Sequence, residues 1–406
     1  LRCIIHNCID YNLPLYINFV DFKAAFDSIN RDFIWRAFGH YGLPKKYIRV
    51  FQAFFSSTIS AVRHNGEISD WFSVKSGTGQ GDIQGPPVFN VCINLAAQLA
   101  ESCKALTKGV VLQRAISPDE DDVVVLDTDY ADDMAVLDNS KEGLQETTDL
   151  LCMFSAYAGL KVNAGKTKSM AVSKNTSQQP FTEQCSLDIT VDTLPVQQVS
   201  NFQYLGVTIA SDGTIDRELS ARIQKASGAF NQLSSIWKNR NILNNTKIRI
   251  YKAAVMTILL YGCEVWNTTK AQMKRFEVFH QRWLRRILRV KWFNRVSNVD
   301  ILNRARINSI ETFIAAMRLR WYGHVVRMPD ERLPKYLINW TPKHDKRSRG
   351  RPRQSRINCV INDAASFTGI RDIDCSTMDS MASDRKLWRE MIRHKREFLG
   401  AGHSND

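Results

Sequence analysis

Two runs of β-forming residues, Val123-Val124-Val125-Leu126 and Met134-Ala135-Val136-Leu137, flank a short acidic break. Such runs on either side of a break read as a hairpin, and this one constrains the chain more than any other stretch. It sets Asp132 and Asp133 side by side at the turn, with side chains leaving on opposite faces. Adjacent carboxylates raise one another's pKa unless a cation sits between them. Hard divalent ions such as Mg²⁺ meet that need, because they take oxygen ligands and keep positions open for phosphates. Asp also simply favours turns. The pair alone fits a metal site and a plain turn equally well; a third carboxylate is needed to decide.

The chain has 406 residues, enough for two or three domains and a sizeable core. A hydrophobic fraction of 44% is ordinary for a globular protein and argues against disorder. The net charge of +14 favours a polyanionic partner, nucleic acid before membrane. Nine cysteines are scattered without a Cys-x-x-Cys pair, which points to a reducing compartment, with no disulfide-linked partner and no zinc knuckle. The apolar run from Ala253 to Leu260 is far too short to span a membrane, so no membrane partner is expected. The eight histidines show no paired spacing suited to zinc.

Taken in order, apolar residues at helical spacing predict a helix over 1–11. Leu15-Tyr16-Ile17-Asn18-Phe19-Val20 reads as a buried strand that delivers Asp21 at its carboxyl end, a favoured ligand position in α/β proteins. Asn30 or Ser28 caps a helix over 32–41, and Pro44 opens another over 44–55. Asn65-Gly66 predicts a hairpin between 58–62 and 71–74. The Gly-rich stretch Ser76 to Pro87 precedes an apolar helix over 88–101, and lets backbone approach a ligand closely. Further predictions are a helix over 143–158, a strand reaching Met170, and a strand over 201–209. Beyond Asp216 everything reads helical: 215–238, 245–261, 270–290 and 383–399.

Within 270–290, Met273, Phe276, Phe279, Trp283, Ile287 and Val290 make one apolar stripe, which is core. Arg282, Arg285, Arg286 and Arg289 decorate the rest; the pattern fits a solvated face and a phosphate-tracking face alike. From Met317 to Arg356 there are twelve Lys or Arg against three acids, interleaved with Trp321, Tyr322, Tyr336 and Trp340. Arg349-Gly350-Arg351-Pro352-Arg353 is similar to an AT-hook core, which reads A·T-rich minor grooves. Basic runs of this kind more often bind phosphate without preference or act as nuclear-import signals.

Asp21 supplies the third carboxylate. If its strand neighbours the acidic hairpin in one antiparallel sheet, the three acids converge on one edge, as two-metal phosphoryl transfer requires. At this point the residues match a family. The chain resembles the reverse transcriptase of non-LTR (LINE-type) retrotransposons, and the order of the blocks carries the match. Val20-Asp21-Phe22-Lys23-Ala24-Ala25-Phe26-Asp27 resembles the first palm block. Gln80-Gly81 with Gly85-Pro86 and Phe89-Asn90 resembles the second, and Tyr130-Ala131-Asp132-Asp133 the third. Gly159-Leu160-Lys161-Val162-Asn163 with Lys166-Thr167-Lys168 resembles the fourth, and Tyr204-Leu205-Gly206 the primer-grip block. Trp321-Tyr322-Gly323-His324 and the arginines after it also look like the downstream region of such elements.

The resemblance implies an α+β fold: a reverse-transcriptase-type palm with an antiparallel sheet, an all-helical thumb and a basic C-terminal region. The expected boundaries are 1–172 for the palm with a remnant of fingers, 173–215 for a loop and primer-grip hairpin, 216–292 for the thumb and 293–406 for the basic region. It implies Asp21 and Asp132 as main ligands of two Mg²⁺ (or Mn²⁺) ions, with Asp133 supporting and the carbonyl of Phe22 completing a shell. Phe26 would exclude a ribose 2′-hydroxyl, or else pack behind the turn. Gln80 and Gly81 would line the incoming dNTP and the template base. Lys166 would stand near the leaving pyrophosphate as proton donor or charge stabiliser, and Tyr204, Leu205 and Gly206 would position the primer end.

Template RNA and primer DNA are the implied partners, held by phosphate contacts that carry little sequence information. Two departures stand out: Gly79 replaces a basic residue, and Gln84-Gly85 replaces a more usual Leu-Ser. The segment ahead of Asp21 is too short for the family's fingers and endonuclease. The sequence therefore resembles the carboxyl-terminal part of such a polyprotein. Two readings follow: an RNA-directed DNA polymerase, or a catalytically dead remnant that still binds nucleic acid. Either is expected inside the cell, in a nuclear or cytoplasmic ribonucleoprotein.

Overall fold

In a computed structural model the described residues are 1–79, 83–103, 109–113, 123–172, 186–340 and 356–401. The chain divides into two compact units, Asn12–Leu205 with Leu1, and Gly206–Asp406 with the Arg2–Tyr11 helix.

The first unit is built on a five-stranded sheet. Leu15–Val20 lies at its centre, antiparallel to Asp133–Asp138 on one side and to Lys168–Val172 on the other. Asp127–Tyr130 continues the sheet antiparallel beyond Asp133–Asp138. Gln197–Gln198 ends it by a short parallel pairing with Lys168–Val172. The central strand is buried at five of its six positions, which is why its sequence is mostly apolar on both faces and not an alternation, with Asn18 the exception. The Gly85–Ser102 and Lys141–Tyr157 helices pack through Phe89, Ile93, Leu144 and Leu151 onto Val20, Met134 and Val136. Fully buried Asn18 donates to Thr148 Oγ1 at 3.0 Å, a polar pin between strand and helix.

Local chemistry places the other elements as expected. Asn30 caps Arg31–His40 by accepting from Asp32 N at 2.8 Å. Asn65-Gly66, with φ of +49° and +91°, turns Arg63–His64 into Glu67–Ile68. The central hairpin differs from expectation. Its first strand is the acidic break itself, Asp127–Tyr130, whose Tyr130 faces Asp133 across a two-residue Ala131-Asp132 turn. Val123–Val125 pairs instead with Val110–Gln113 in a separate two-stranded ribbon. A two-residue turn with Ala131 at φ +57° dictates the register, and register overrides the greater β-propensity of the valines.

The predicted strand over 201–209 breaks at Leu205-Gly206, where φ is +48° and +76°, into Asn201–Tyr204 and Val207–Ala210. The second unit is helical beyond Asp216, with two departures from the expected segments. The 215–238 helix breaks at Leu233 into Asp216–Gln232 and Ser234–Lys238. The 245–261 helix carries a π-helical stretch at Tyr251–Met256. The apolar stripe of Lys270–Leu288 is core as expected, with Phe276, Trp283 and Ile287 buried and Met273, Phe279 and Val290 packed against them.

That core holds a polar centre. Tyr251 Oη lies 2.8 Å from His280 Nδ1, and His280 Nε2 lies 3.2 Å from the carbonyl of Asn308. A neutral imidazole that donates from Nε2 and accepts at Nδ1 satisfies both contacts. Burial accordingly pushes the His280 pKa below its ordinary 6.5. The sign of the linkage is fixed: below 6.5 the unfolded chain takes up a proton that the folded chain refuses, so stability falls as pH falls. Each pH unit below that point costs up to about 1.4 kcal/mol until the folded pKa is reached. Chemical denaturation from pH 7 to pH 5 therefore shows a declining midpoint, and the decline flattens in His280→Gln.

Candidate active site

The sheet register brings the predicted acids together at one end. Val20 pairs with Met134 as the last residues of their ladder, so Asp21 and Asp133 are the next residues at the same edge. Asp132 sits in the adjoining turn. Three signs of charge crowding are present. Burial first, then the charges of Asp132 and Asp21, hold the Asp133 carboxyl above the usual carboxylate range. Asp21 Oδ2 is shielded from solvent without a hydrogen-bond partner. Its nearest cation, Lys166 Nζ, stands at 3.9 Å, too far for a hydrogen bond.

A buried, unsatisfied carboxylate oxygen in an acidic field is the donor chemistry of a hard cation site. Among the described residues, no three His, Cys, Asp or Glu side chains stand close enough to form a ready-made metal cage. The three acids therefore fit such an ion in kind and in charge, while their spacing leaves room between them.

Asp21 is held by the stretch 159–168. Asn163 N donates to the Asp21 carbonyl at 2.7 Å, and Lys23 N donates to the Lys161 carbonyl at 2.8 Å. Asp21 N donates to Thr167 Oγ1 at 3.2 Å, and Phe22 bridges Val162. This lacing puts largely exposed Lys166 beside Asp21. The Phe22 side chain is buried in the core.

Half-buried Phe26 stacks on Phe89 with ring centroids 4.5 Å apart. The Gly-rich stretch lies against the same turn, Gly77 N donating to the Ile29 carbonyl and Thr78 N to the Phe26 carbonyl, both at 2.8 Å. Gln80 and Gly81 lie outside the described residues, as do Arg349, Arg351 and Arg353.

Tyr204 was expected at the primer end, and its side chain is buried beneath the acidic hairpin. Its hydroxyl donates to the Thr128 carbonyl at 2.6 Å and lies 3.3 Å from the Asp133 carbonyl. Its ring, with that of Phe202, packs on Phe19 of the central strand. Burial raises the Tyr204 pKa to about 12, so it stays a neutral donor at any working pH. The alternation Phe202, Tyr204 was the available signal that one face of this strand is buried. Leu205, partly exposed, and Gly206 form the turn that follows.

Residues 6–209, half of the chain, match the family model described as reverse transcriptase (RNA-dependent DNA polymerase). The chain is a member of the reverse transcriptase family. Among relatives, this reverse transcriptase is 25% identical over 273 residues to the putative uncharacterized transposon-derived protein F52C9.6 of Caenorhabditis elegans, covering 65% of the present chain and 94% of that protein. It is 24% identical over 298 residues to the RNA-directed DNA polymerase from mobile element jockey of Drosophila melanogaster, covering 70% of the present chain and 29% of that one. It is 24% identical over 202 residues to the retrovirus-related Pol polyprotein from type-2 retrotransposable element R2DM of the same fly, covering 49% and 18%. The reverse transcriptase thus spans under a third of the two fly proteins.

The arginines of Lys270–Leu288 belong to the second unit. Arg282, Arg285, Arg286 and Arg289 line one cleft of about 900 Å³ together with Lys238 and Lys291. Three of them are also braced: Arg285 donates to the Val296 carbonyl at 2.8 Å, Arg289 to the Lys238 carbonyl at 2.5 Å, and Arg286 to Asn231 Oδ1 at 3.4 Å. Arg282 lies 5.5 Å from the Phe279 ring centre. Among the described residues no helix is long and apolar enough to cross a membrane.

One prediction concerns the Tyr204 tether. Losing a single hydroxyl bond costs about 0.5–1.5 kcal/mol, or roughly three- to tenfold if it acts on the transition state. Tyr204→Phe should therefore lower the rate of primer extension by that factor with dNTP KM unchanged; single-turnover kinetics measure it.

Proposed function

We propose that the chain is the RNA-directed DNA polymerase of a non-LTR retrotransposon, extending a DNA primer on template RNA with dNTPs. The observation that carries the reading is the sheet edge that Asp21, Asp132 and Asp133 share, where burial and then the charges of the other two acids raise the Asp133 pKa. In this reading residues 1–172 are the palm with a remnant of fingers, 173–215 the loop and primer-grip hairpin, 216–292 the thumb and 293–406 the basic region. Asp21, Asp132 and Asp133 hold the divalent ions on which the family depends, with the Phe22 carbonyl beside them. Two bound Mg²⁺ (or Mn²⁺) ions would supply a lowered pKa for the primer hydroxyl and neutralisation of the phosphate charge.

The primer 3′-hydroxyl gives its proton to solvent water as its oxygen bonds to the α-phosphorus, and the bond to pyrophosphate breaks in line. Lys166, at 3.9 Å from Asp21 and open to solvent, donates a proton or positive charge to the departing pyrophosphate. Phe26, stacked on Phe89, fills the space a ribose 2′-hydroxyl would need. Gln80 and Gly81 line the nucleotide, and Leu205 and Gly206 position the primer, with Tyr204 behind them. Arg282, Arg285, Arg286 and Arg289 grip the duplex through its phosphates, and Arg349, Arg351 and Arg353 add to that grip. Such a protein works inside the cell, in a nuclear or cytoplasmic ribonucleoprotein.

The second reading, a non-catalytic nucleic-acid binder, draws on the same basic cleft. Mg²⁺-dependent extension of oligo(dT) on poly(rA) separates the two. A polymerase extends and a binder does not.

A further inference from the structure

The Trp321-Tyr322-Gly323-His324 stretch has no role in the chemistry above, yet Tyr322, Gly323 and His324 belong to one construction inside the second unit. It lies on the Ile310–Val326 helix. The Tyr322 hydroxyl donates to Asp379 Oδ1. A Cβ on Gly323 would come within 2.4 Å of Trp388 Nε1. Fully buried Trp388 donates from that nitrogen to the Leu319 carbonyl at 2.8 Å. Gly323 is therefore glycine because the Arg385–Ala401 helix docks there by its indole, at ring depth.

The docking has an electrostatic result. It sets Arg385, Arg389 and Arg393 on one helix beside Arg320, His324 and Arg327 on the other, around a cleft of about 1070 Å³. Glu390 is the single acidic residue lining it among the described residues. The crowding is real: burial, then the charges of Arg385 and Arg389, depress the Arg327 pKa. With one acid among its described lining residues, the cleft carries a strongly positive field, which attracts an anion. Arg385 to Arg393 spans about 12 Å at 1.5 Å per residue, longer than any single phosphate. A row of guanidinium forks of that length matches a chain of phosphates.

We propose that this cleft is a second nucleic-acid site, distinct from the one along Lys270–Leu288, which binds the phosphodiester backbone of RNA or DNA. Gly323 admits the helix that forms one wall of it, and His324 lines it. The proposal deepens the reverse-transcriptase reading, but its test needs no catalysis.

The test is fluorescence anisotropy of the full chain with labelled U20 RNA, dT20 and a 20-base-pair duplex over a salt series. The wild type is compared with Arg320→Gln/Arg389→Gln, and with Arg320→Gln alone. Two lost contacts to single strands should reduce the slope of log Kd against log salt by about 1.4, and one by about 0.7. The three probes show whether RNA, DNA or duplex is the better occupant. Melting curves confirm that the variants fold, and Arg320→Gln, at an exposed helix position, keeps the test open if the double variant does not. Unchanged slopes for all three probes in a folded variant overturn the proposal. Anisotropy reads binding directly, so the outcome stands whether or not the wild type extends a primer.

Discussion

Asp21→Asn should reduce primer extension by at least about a hundredfold, the scale of removing one preorganised charge-stabilising group from an active site. The reasoning starts from geometry. Asp21 ends the central strand, its backbone is pinned on both sides by Asn163 and Thr167, and its Oδ2 has no hydrogen-bond partner. A carboxylate so placed contributes little to folding, because its Oδ2 has no hydrogen bond and its ion pair, to exposed Lys166, is long at 3.9 Å. The amide should therefore leave the melting temperature of the metal-free protein unchanged or raise it, since it removes charge from beside Asp133. Mg²⁺ should stabilise the wild type against heat and do so less in the variant. Steady-state extension and melting with and without Mg²⁺ are the two measurements. A large loss of melting temperature in the metal-free variant would mean that Asp21 is structural.

The second large effect is on the fold. Gly159 ends the Lys141–Tyr157 helix with φ of +81°, and the following Leu160 N donates back to the Ser155 carbonyl at 2.8 Å. A Cβ there would meet Ser28 O at 2.7 Å and Asn30 N at 2.8 Å, both backbone atoms. Neither can yield without breaking the bond from Asn30 N to the Ala158 carbonyl. Gly159→Ala combines a left-handed alanine, about 1–2 kcal/mol, with overpacking of about 1–3 kcal/mol. A loss of roughly 2–5 kcal/mol is expected in denaturant titration. Activity should fall with it, because the same stretch positions Lys166 and the Asp21 backbone. An alanine variant as stable as wild type would show that the helix end relaxes freely.

Much of this site was legible because its signals are local. Leu15–Val20 carries a mostly apolar strand pattern, Asn65-Gly66 names its own turn, and Asn30 names its helix. A shared edge for Asp21, Asp132 and Asp133 was expected if their strands were neighbours in one antiparallel sheet, and the strands do pair in that way. What failed was decided by distant partners. The valines at 123–125 have the higher strand propensity, but Val110–Gln113 claims them, and the turn at Ala131-Asp132 sets the hairpin register instead. Tyr204 meets Thr128 across 76 positions of sequence, beyond any local pattern. Gly323 sits mid-helix, where glycine ordinarily weakens a helix, and only Trp388 explains it.

The central claim is that the acidic edge catalyses nucleotide transfer. Its most direct test is Mg²⁺-dependent extension of oligo(dT) on poly(rA), comparing the wild type with Asp132→Ala/Asp133→Ala, with duplex binding measured in parallel. The account predicts extension by the wild type, none by the variant, and equal binding by both. Equal binding with no extension by either protein would contradict it, and would leave a chain that grips nucleic acid without acting on it.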